Sequence, residues 1–187
     1  MKVLPAHPTV GDDDPADLAA LFSRYARALL RYCACRVGPD AAEDVVAEVF
    51  LVAHARWESF DPARASALTW LYGIATNVAR SHRRTELRAL RGYARAADSG
   101  AVEEGFADRA ADRADAQAGQ RRIAAALARL PARQRDVLLL FAVAELDYAE
   151  IAAALDIPLG SVQSSLHRAR AKLRARLGAH HRPGGDS

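Results

Sequence analysis

Residues 147–172 read DYAEIAAALDIPLGSVQSSLHRARAK, and their spacing decides the fold. Asp147, with Glu150 three residues on, forms a capping box that opens a short helix carrying Ile151, Ala152 and Leu155. Asp156-Ile157-Pro158 turns the chain, with Asp156 where such turns often place Gly. A longer helix follows from about Leu159 to Leu177, with Val162 and Leu166 anchoring it to the first helix and Ala152 at their closest approach. Short helix, tight turn and longer helix is helix-turn-helix patterning. The second helix turns Ser161, Gln163, Ser164, His167, Arg168, Arg170, Lys172, Arg174 and Arg176 outward, and residues 166–177 hold five positive charges and no negative one. Such a helix suits a major groove, its first turns at base edges and its basic end at phosphates. The same pattern also fits an amphipathic helix whose basic face is merely solvated.

Working outward, Ile123, Leu127 and Leu130 form a short helical stripe closed by Pro131, and Arg133 to Ala144 carries Val137, Leu138, Leu140 and Phe141. Residues 121–177 thus make one helical domain. A second spans residues 16–90. Leu18, Leu21, Phe22, Tyr25, Leu29 and Tyr32 share one face of its first helix, which ends at Gly38-Pro39. Asp40 with Glu43 reads as a capping box for the next helix, whose apolar side holds Val45, Val46, Val49, Phe50, Val52 and Ala53. After the turn Ser59-Phe60-Asp61-Pro62, a third helix runs from about Ser66 to Arg84 or beyond, striped by Leu68, Leu71, Tyr72, Ala75 and Val78.

Between the two, residues 91–120 carry an excess of Asp and Glu. From Tyr93 to Gln120 the only bulky apolar side chains are Val102 and Phe106, too few to offset the entropy of ordering. This stretch reads as an acidic flexible linker, and residues 178–187 as a disordered tail. Composition agrees. Of 187 residues 43 are Ala, the best helix former, against four Ile and four Thr. Leu, Ile, Val and Phe together number only 42, so the core is expected to be modest and split. The fold class is all-α: two small helical domains on a flexible linker.

Composition also excludes functions. No apolar run approaches the 18 residues of a membrane span, and the acidic N-terminal stretch lacks the apolar segment of a signal peptide. A cytoplasmic, soluble protein is expected. Cys33 and Cys35, two apart on a helix, point in different directions and read as inert packing residues. His54, His82 and His167 lack carboxylates or cysteines at ligand spacing, and His180-His181 lie on the tail, so no metal is expected. No Gly-rich phosphate loop, GxSxG or HExxH occurs. No catalysis and no cofactor are expected.

Two further segments carry binding chemistry. Residues 64–91 interleave Trp70, Tyr72 and Asn77 with Arg80, His82, Arg83, Arg84, Arg88 and Arg91. Rings beside a basic helix suit a single strand, since bases stack while Arg tracks phosphates. Tyr72 reads better as core, whereas Trp70 fits either role. Six Arg against one Glu in residues 80–95 repel one another unless an anionic partner is present. On residues 40–57, Asp44, Glu48 and Leu51 form a stripe opposite the core side, an acidic rim around an apolar residue that suits protein docking.

In this order, the three segments resemble an extracytoplasmic-function sigma factor of the sigma-70 family. DAAEDVVAEVFLVAHARW (40–57) resembles the helix that docks on the clamp coiled coil of the largest subunit of core RNA polymerase. FDPARASALTWLYGIATNVARSHRR (60–84) resembles the segment that reads and melts the −10 element, and residues 127–174 resemble the domain that reads the −35 element. The resemblance implies that Asp44, Glu48, Phe50 and Leu51 meet core RNA polymerase, with Phe50 partly core. It implies that the loop Ser59–Ser66, with Ser59, Phe60 and Asp61, captures a flipped base of promoter DNA, and that Trp70, Asn77, Arg80, Arg83 and Arg84 hold the opened strand. Ser161, Gln163, Ser164, His167 and Arg168 would meet the −35 duplex, with Arg170 and Lys172 on phosphates. The family commonly has basic residues at the positions of Gln163 and Ser165, and in the docking helix at Val52 and Ala53, so weaker contacts are implied there. An anti-sigma protein is a further implied partner. The competing readings are a stand-alone helix-turn-helix regulator, which predicts a homodimer, and a protein-interaction module, which predicts salt-insensitive binding.

Overall fold

The computed structural model describes residues 18–96, 119 and 122–178, and every regular element among them is helical. In chain order these are α1 (Leu18–Val37), α2 (Pro39–Ala55), a single 3-10 turn (Trp57–Ser59), α3 (Ala67–Ala96), α4 (residues 122–128), α5 (Ala132–Ala142), α6 (Tyr148–Leu155) and α7 (Leu159–Gly178). The all-α expectation is met. Residues 97–118 and 120 of the expected linker and 179–187 of the expected tail lie outside the described residues.

Several boundaries differ from expectation. α2 begins at Pro39, not after an Asp40 cap: Gly38, at φ 89°, turns the chain between α1 and α2, and no side chain caps the new helix. Proline at the first helical position has its φ already set and lacks an N–H that would go unpaired, so it displaces Asp40 into the first turn. α3 continues twelve residues past Arg84, through the first six residues expected to be linker. The Ala, Leu and Arg of residues 87–96 are strong helix formers, and the one Gly among them costs only about 1 kcal/mol. Around Asp147 the reading holds in full. Its carboxylate accepts from the Glu150 N–H at 2.8 Å, and the Glu150 carboxylate accepts from the Asp147 N–H at 2.8 Å.

α1, α2 and α3 pack as a first unit around Leu29, Tyr32, Val45, Val49, Leu71 and Tyr72, all essentially fully buried. Phe22, expected in the buried stripe of α1, is 48% exposed and leans on buried Phe50, ring centroids 5.0 Å apart. Cys33 packs in the core as expected, but Cys35, read as a second packing residue, is exposed, because positions two apart on a helix diverge; both are free thiols. The second unit, α4 to α7, closes over Leu130, Val137, Leu140, Leu146, Ile151, Val162 and Leu166. Ile123 falls outside it, 50% exposed. Asp156 ends α6 in the left-handed region at φ 50°, the conformation that usually selects Gly.

The core is not split. Buried residues of both units form one continuous cluster. α6 lies along α3, and at Gly73 the approach is so close that a Cβ there would stand 2.5 Å from the Ala154 carbonyl oxygen. Small residues on both helices permit this, which a count of bulky side chains does not reveal. A second tie is ionic. Asp136 of α5, wholly buried, pairs with Arg36 of α1 at 2.6 Å and with Arg80 of α3, whose Nε donates to it at 2.7 Å.

Candidate nucleic-acid interface

The acidic stripe of α2 is placed as expected. Val45, Val46, Val49 and Ala53 turn inward at helical spacing, which leaves Asp44, Glu48 and Leu51 on the outer face. Leu51 is 67% exposed, an isolated apolar side chain set between carboxylates. Phe50 is a correction. It is buried among α1 and α2 and offers no surface to a partner; Phe22, tilted against it, is the exposed ring.

The loop from α2 to α3 is held by short-range bonds. Ser59 Oγ donates to the Arg56 carbonyl at 2.7 Å, the Ala63 N–H donates to Asp61 Oδ1 at 2.9 Å, and the Thr69 N–H donates to Ser66 Oγ at 3.2 Å at the start of α3. These fix Phe60 beside Trp70 at 5.3 Å, with Trp57 5.1 Å from Phe60 and 5.7 Å from Trp70. The three rings form a half-exposed cluster, so Trp70 is neither fully core nor fully free. Beside it lies a cavity of about 150 Å³, lined by Ser59, Phe60, Asp61, Arg64 and Trp70 of the first unit and by the end of α6. Trp57 escaped the sequence reading, although its spacing of three from Phe60 in a turn was a usable signal.

Along α3, Tyr72 is buried, as favoured. Asn77 and Arg84 are exposed, and Arg80 and Arg83 half-buried. They open on a cleft of about 890 Å³ that also takes Arg56 from the first unit and Arg133 and Arg135 from the second. Seven arginines line it, and among the described residues no carboxylate does. Burial and the positive Arg83, Arg36 and Arg80 nearby push the Arg135 guanidinium below its ordinary range. Such a cleft favours anions. Arg80, however, also donates from its Nε to Asp136 at 2.7 Å while keeping 36% of its side chain exposed.

α7 presents its residues as the helix-turn-helix reading requires. Val162, Ser165, Leu166 and Ala169 face the core, while Gln163, His167, Arg168, Arg170 and Lys172 are exposed and Ser161 and Ser164 half-buried. Ser165 is therefore no lost DNA contact, since its side chain points inward. Arg168 Nη2 donates to Ser164 Oγ at 3.1 Å, and Arg170 stacks over Phe141 with its guanidinium 4.7 Å from the ring centre. Contrary to expectation, His82 has a carboxylate at helical spacing, Glu86 at 3.7 Å, but among the described residues no group of three or more His, Cys, Asp and Glu could hold a metal. No described helix is long and apolar enough to cross a membrane.

Comparison with known proteins finds two family models that match the chain. Residues 21–95 match the family model for sigma-70 region 2, and residues 120–173 that for sigma-70 region 4. RpoE, an ECF RNA polymerase sigma factor of Cereibacter sphaeroides, is 31% identical over 88% of both chains. SigW of Bacillus subtilis, also an ECF RNA polymerase sigma factor, is 29% identical over 89% of this chain and 91% of its own. Among solved structures, CnrH in complex with the cytosolic domain of CnrY superposes with a TM-score of 0.63 at 25% identity, covering 89% of this chain and 91% of that one. RpoE of Bartonella quintana, in complex with the anti-sigma factor NepR, gives 0.62 at 25% identity, covering 88% and 99%.

Proposed function

The chain belongs to the extracytoplasmic-function group of the sigma-70 family, the RNA polymerase sigma factors, and from that premise we propose how its residues divide promoter recognition. The outer face of α2, with Leu51 between Asp44 and Glu48, docks on core RNA polymerase, and Phe50 supports that face from within. Loop 59–66 with the rings of Trp57, Phe60 and Trp70 receives a base extruded from the non-template −10 strand. Asn77, Arg80, Arg83 and Arg84 hold the phosphates of that strand. Gln163, Ser164, His167 and Arg168 of α7 read the −35 duplex, while Arg170 and Lys172 neutralise its backbone. The protein works with polymerase in the cytoplasm, performs no chemistry of its own, and has an anti-sigma protein as its inhibitory partner.

The observation that carries this reading is the three-ring cluster beside the loop cavity, with Trp70 on the same helix as the arginines of the cleft. Extruding a base costs a few kcal/mol. Stacking on a ring contributes about 1–3 kcal/mol per base, enough to offset that cost. A regulator that binds only duplex DNA has no use for such a platform. The test combines the full chain with core polymerase on a promoter selected from genomic fragments. Replacing Arg80, Arg83 and Arg84 together by Ala is expected to abolish permanganate-reactive thymines near −10 while the −35 footprint persists. Undiminished strand opening by that variant defeats the reading.

A further inference from the structure

Ile123, expected in the core of the second unit, stands half exposed on the wall of a cavity of about 650 Å³. Small-molecule sites typically measure about 300–1,000 Å³. The last turn of α1 and the corner into α2 line this one with Ala34, Val37 and Pro39, and α4 adds Ile123 and Leu127. Against these apolar groups stand the guanidiniums of Arg83 from α3 and Arg135 from α5. Arg36 also lines the cavity, but it is 2% exposed and already neutralised by Asp136 at 2.6 Å. Arg135 donates only to a neutral acceptor, the Ala128 carbonyl at 3.2 Å, and among the described residues neither Arg83 nor Arg135 is ion-paired. The one carboxylate on the wall, Glu86, is half exposed and lies 3.7 Å from His82.

We propose that this cavity binds a small amphipathic acid, an apolar tail bearing one carboxylate: the tail lies on Val37, Pro39, Ile123 and Leu127, and Arg83 and Arg135 share the carboxylate. The lining asks for both parts. A purely apolar ligand would strip water from two guanidiniums and give them no partner. An inorganic anion would leave the Ile123 wall in water. Guanidinium forks take a carboxylate through short, parallel, charge-assisted bonds. Burial and the positive Arg83 hold the Arg135 guanidinium below its ordinary range, as expected where negative charge is in short supply. A phosphate strand suits the neighbouring arginine cleft better, because that cleft has no carboxylate among its described lining residues and this cavity has Glu86 and an apolar wall. No residue of the cavity belongs to the faces assigned to core polymerase or the −35 duplex, and of the strand-holding set only Arg83 does. The site therefore stands independently of the promoter-reading roles.

The chain carries its own reporter, since Cys35 lines the cavity and is exposed while Cys33 is buried. The rate at which Cys35 of the full chain reacts with a neutral dipyridyl disulfide is measured with octanoate, octanol and acetate, and circular dichroism follows the fold. Octanoate, below its micelle-forming concentration, is expected to slow the reaction several-fold at saturation. Acetate lacks the tail and octanol the charge, so neither is expected to protect at the same concentration. Arg135→Gln is expected to weaken octanoate binding about tenfold, the loss of one charge-assisted hydrogen bond. Ile123→Asp, at a half-exposed position, is expected to abolish protection and to leave the fold intact. Should Arg135→Gln fail to fold because the Ala128 carbonyl loses its donor, Arg83→Gln takes its place. Full reactivity of Cys35 in octanoate overturns the proposal, as does equal protection of the parent by octanol or of the Ile123→Asp chain by octanoate. A second reactive thiol in octanoate means that the acid loosens the fold, and protection that rises with protein concentration alone means that a second copy fills the cavity. Either result overturns it too.

Discussion

Burial at single residues sets measurable chemistry. Burial pushes the Cys33 thiol up from its ordinary 9.0 to about 11, while the nearby Arg36 pulls the other way. Cys35 stands in solvent. One thiol per chain is therefore expected to react with a disulfide reagent at pH 8 in the native state and two after denaturation, and two fast native thiols would contradict the burial of Cys33. Burial likewise raises Tyr32 and Tyr72 to about 12. A raised folded value means that the unfolded chain releases its protons first. Stability present below pH 9 is thus expected to drain as pH climbs from 9 toward 12, which denaturant midpoints across that range would follow. Leu51 makes the complementary case. Leu51→Ala removes no packing, so thermal stability should stay within about 0.5 kcal/mol. Affinity for core polymerase, measured by titration of labelled protein, is expected to fall about tenfold. The exposure of Leu51 was legible from helical spacing. The complete burial of Phe50 was not, because the same spacing puts it at the boundary of the two faces, and the ring of Phe22 decides the matter.

Among the elements, the two turns of the second unit show how local chemistry and strain coexist. The capping box at Asp147 was readable because it is a purely local bond pattern. Asp147→Ala is expected to cost about 1 kcal/mol by denaturant unfolding. The preceding turn carries Glu145 at φ 57°, exposed and in the left-handed region. An L side chain there costs roughly 1 kcal/mol relative to Gly, partly offset by the greater freedom of glycine in the unfolded chain. Glu145→Gly is therefore expected to raise the melting temperature slightly, and a lower one would show that the Glu145 side chain makes a stabilising contact. α7 lends itself to a salt test. If Arg170 and Lys172 meet phosphates, replacing either by Ala should reduce by about 1 the slope of log affinity against log salt on −35 duplex DNA. Arg170→Ala also removes the stack on Phe141, so it alone should lower stability as well, by about 0.5–1 kcal/mol.

For the molecule as a whole, the balance is between a buried ion cluster and an exposed arginine cleft. Salt screens the exposed repulsion strongly and the buried Asp136 pairs weakly. The free chain is therefore expected to become more compact from 0.05 to 0.5 M salt, and expansion over that range by scattering would reverse the assignment of forces. The helices, the helix-turn-helix, the outward faces of α2 and α7 and the arginine run of α3 were legible from residue order, because apolar period, caps and charge clusters act over short stretches of chain. The packed fold was needed to show that Phe22 and Ile123 stay exposed, that Trp57 completes the ring cluster, and that Asp136, the one acid of α5, reaches Arg36 and Arg80. The reason is range. Partners 56 residues apart, as Arg80 and Asp136 are, leave no period or spacing to read, and a glycine or alanine signals a close approach only once the helix that fills it is in place.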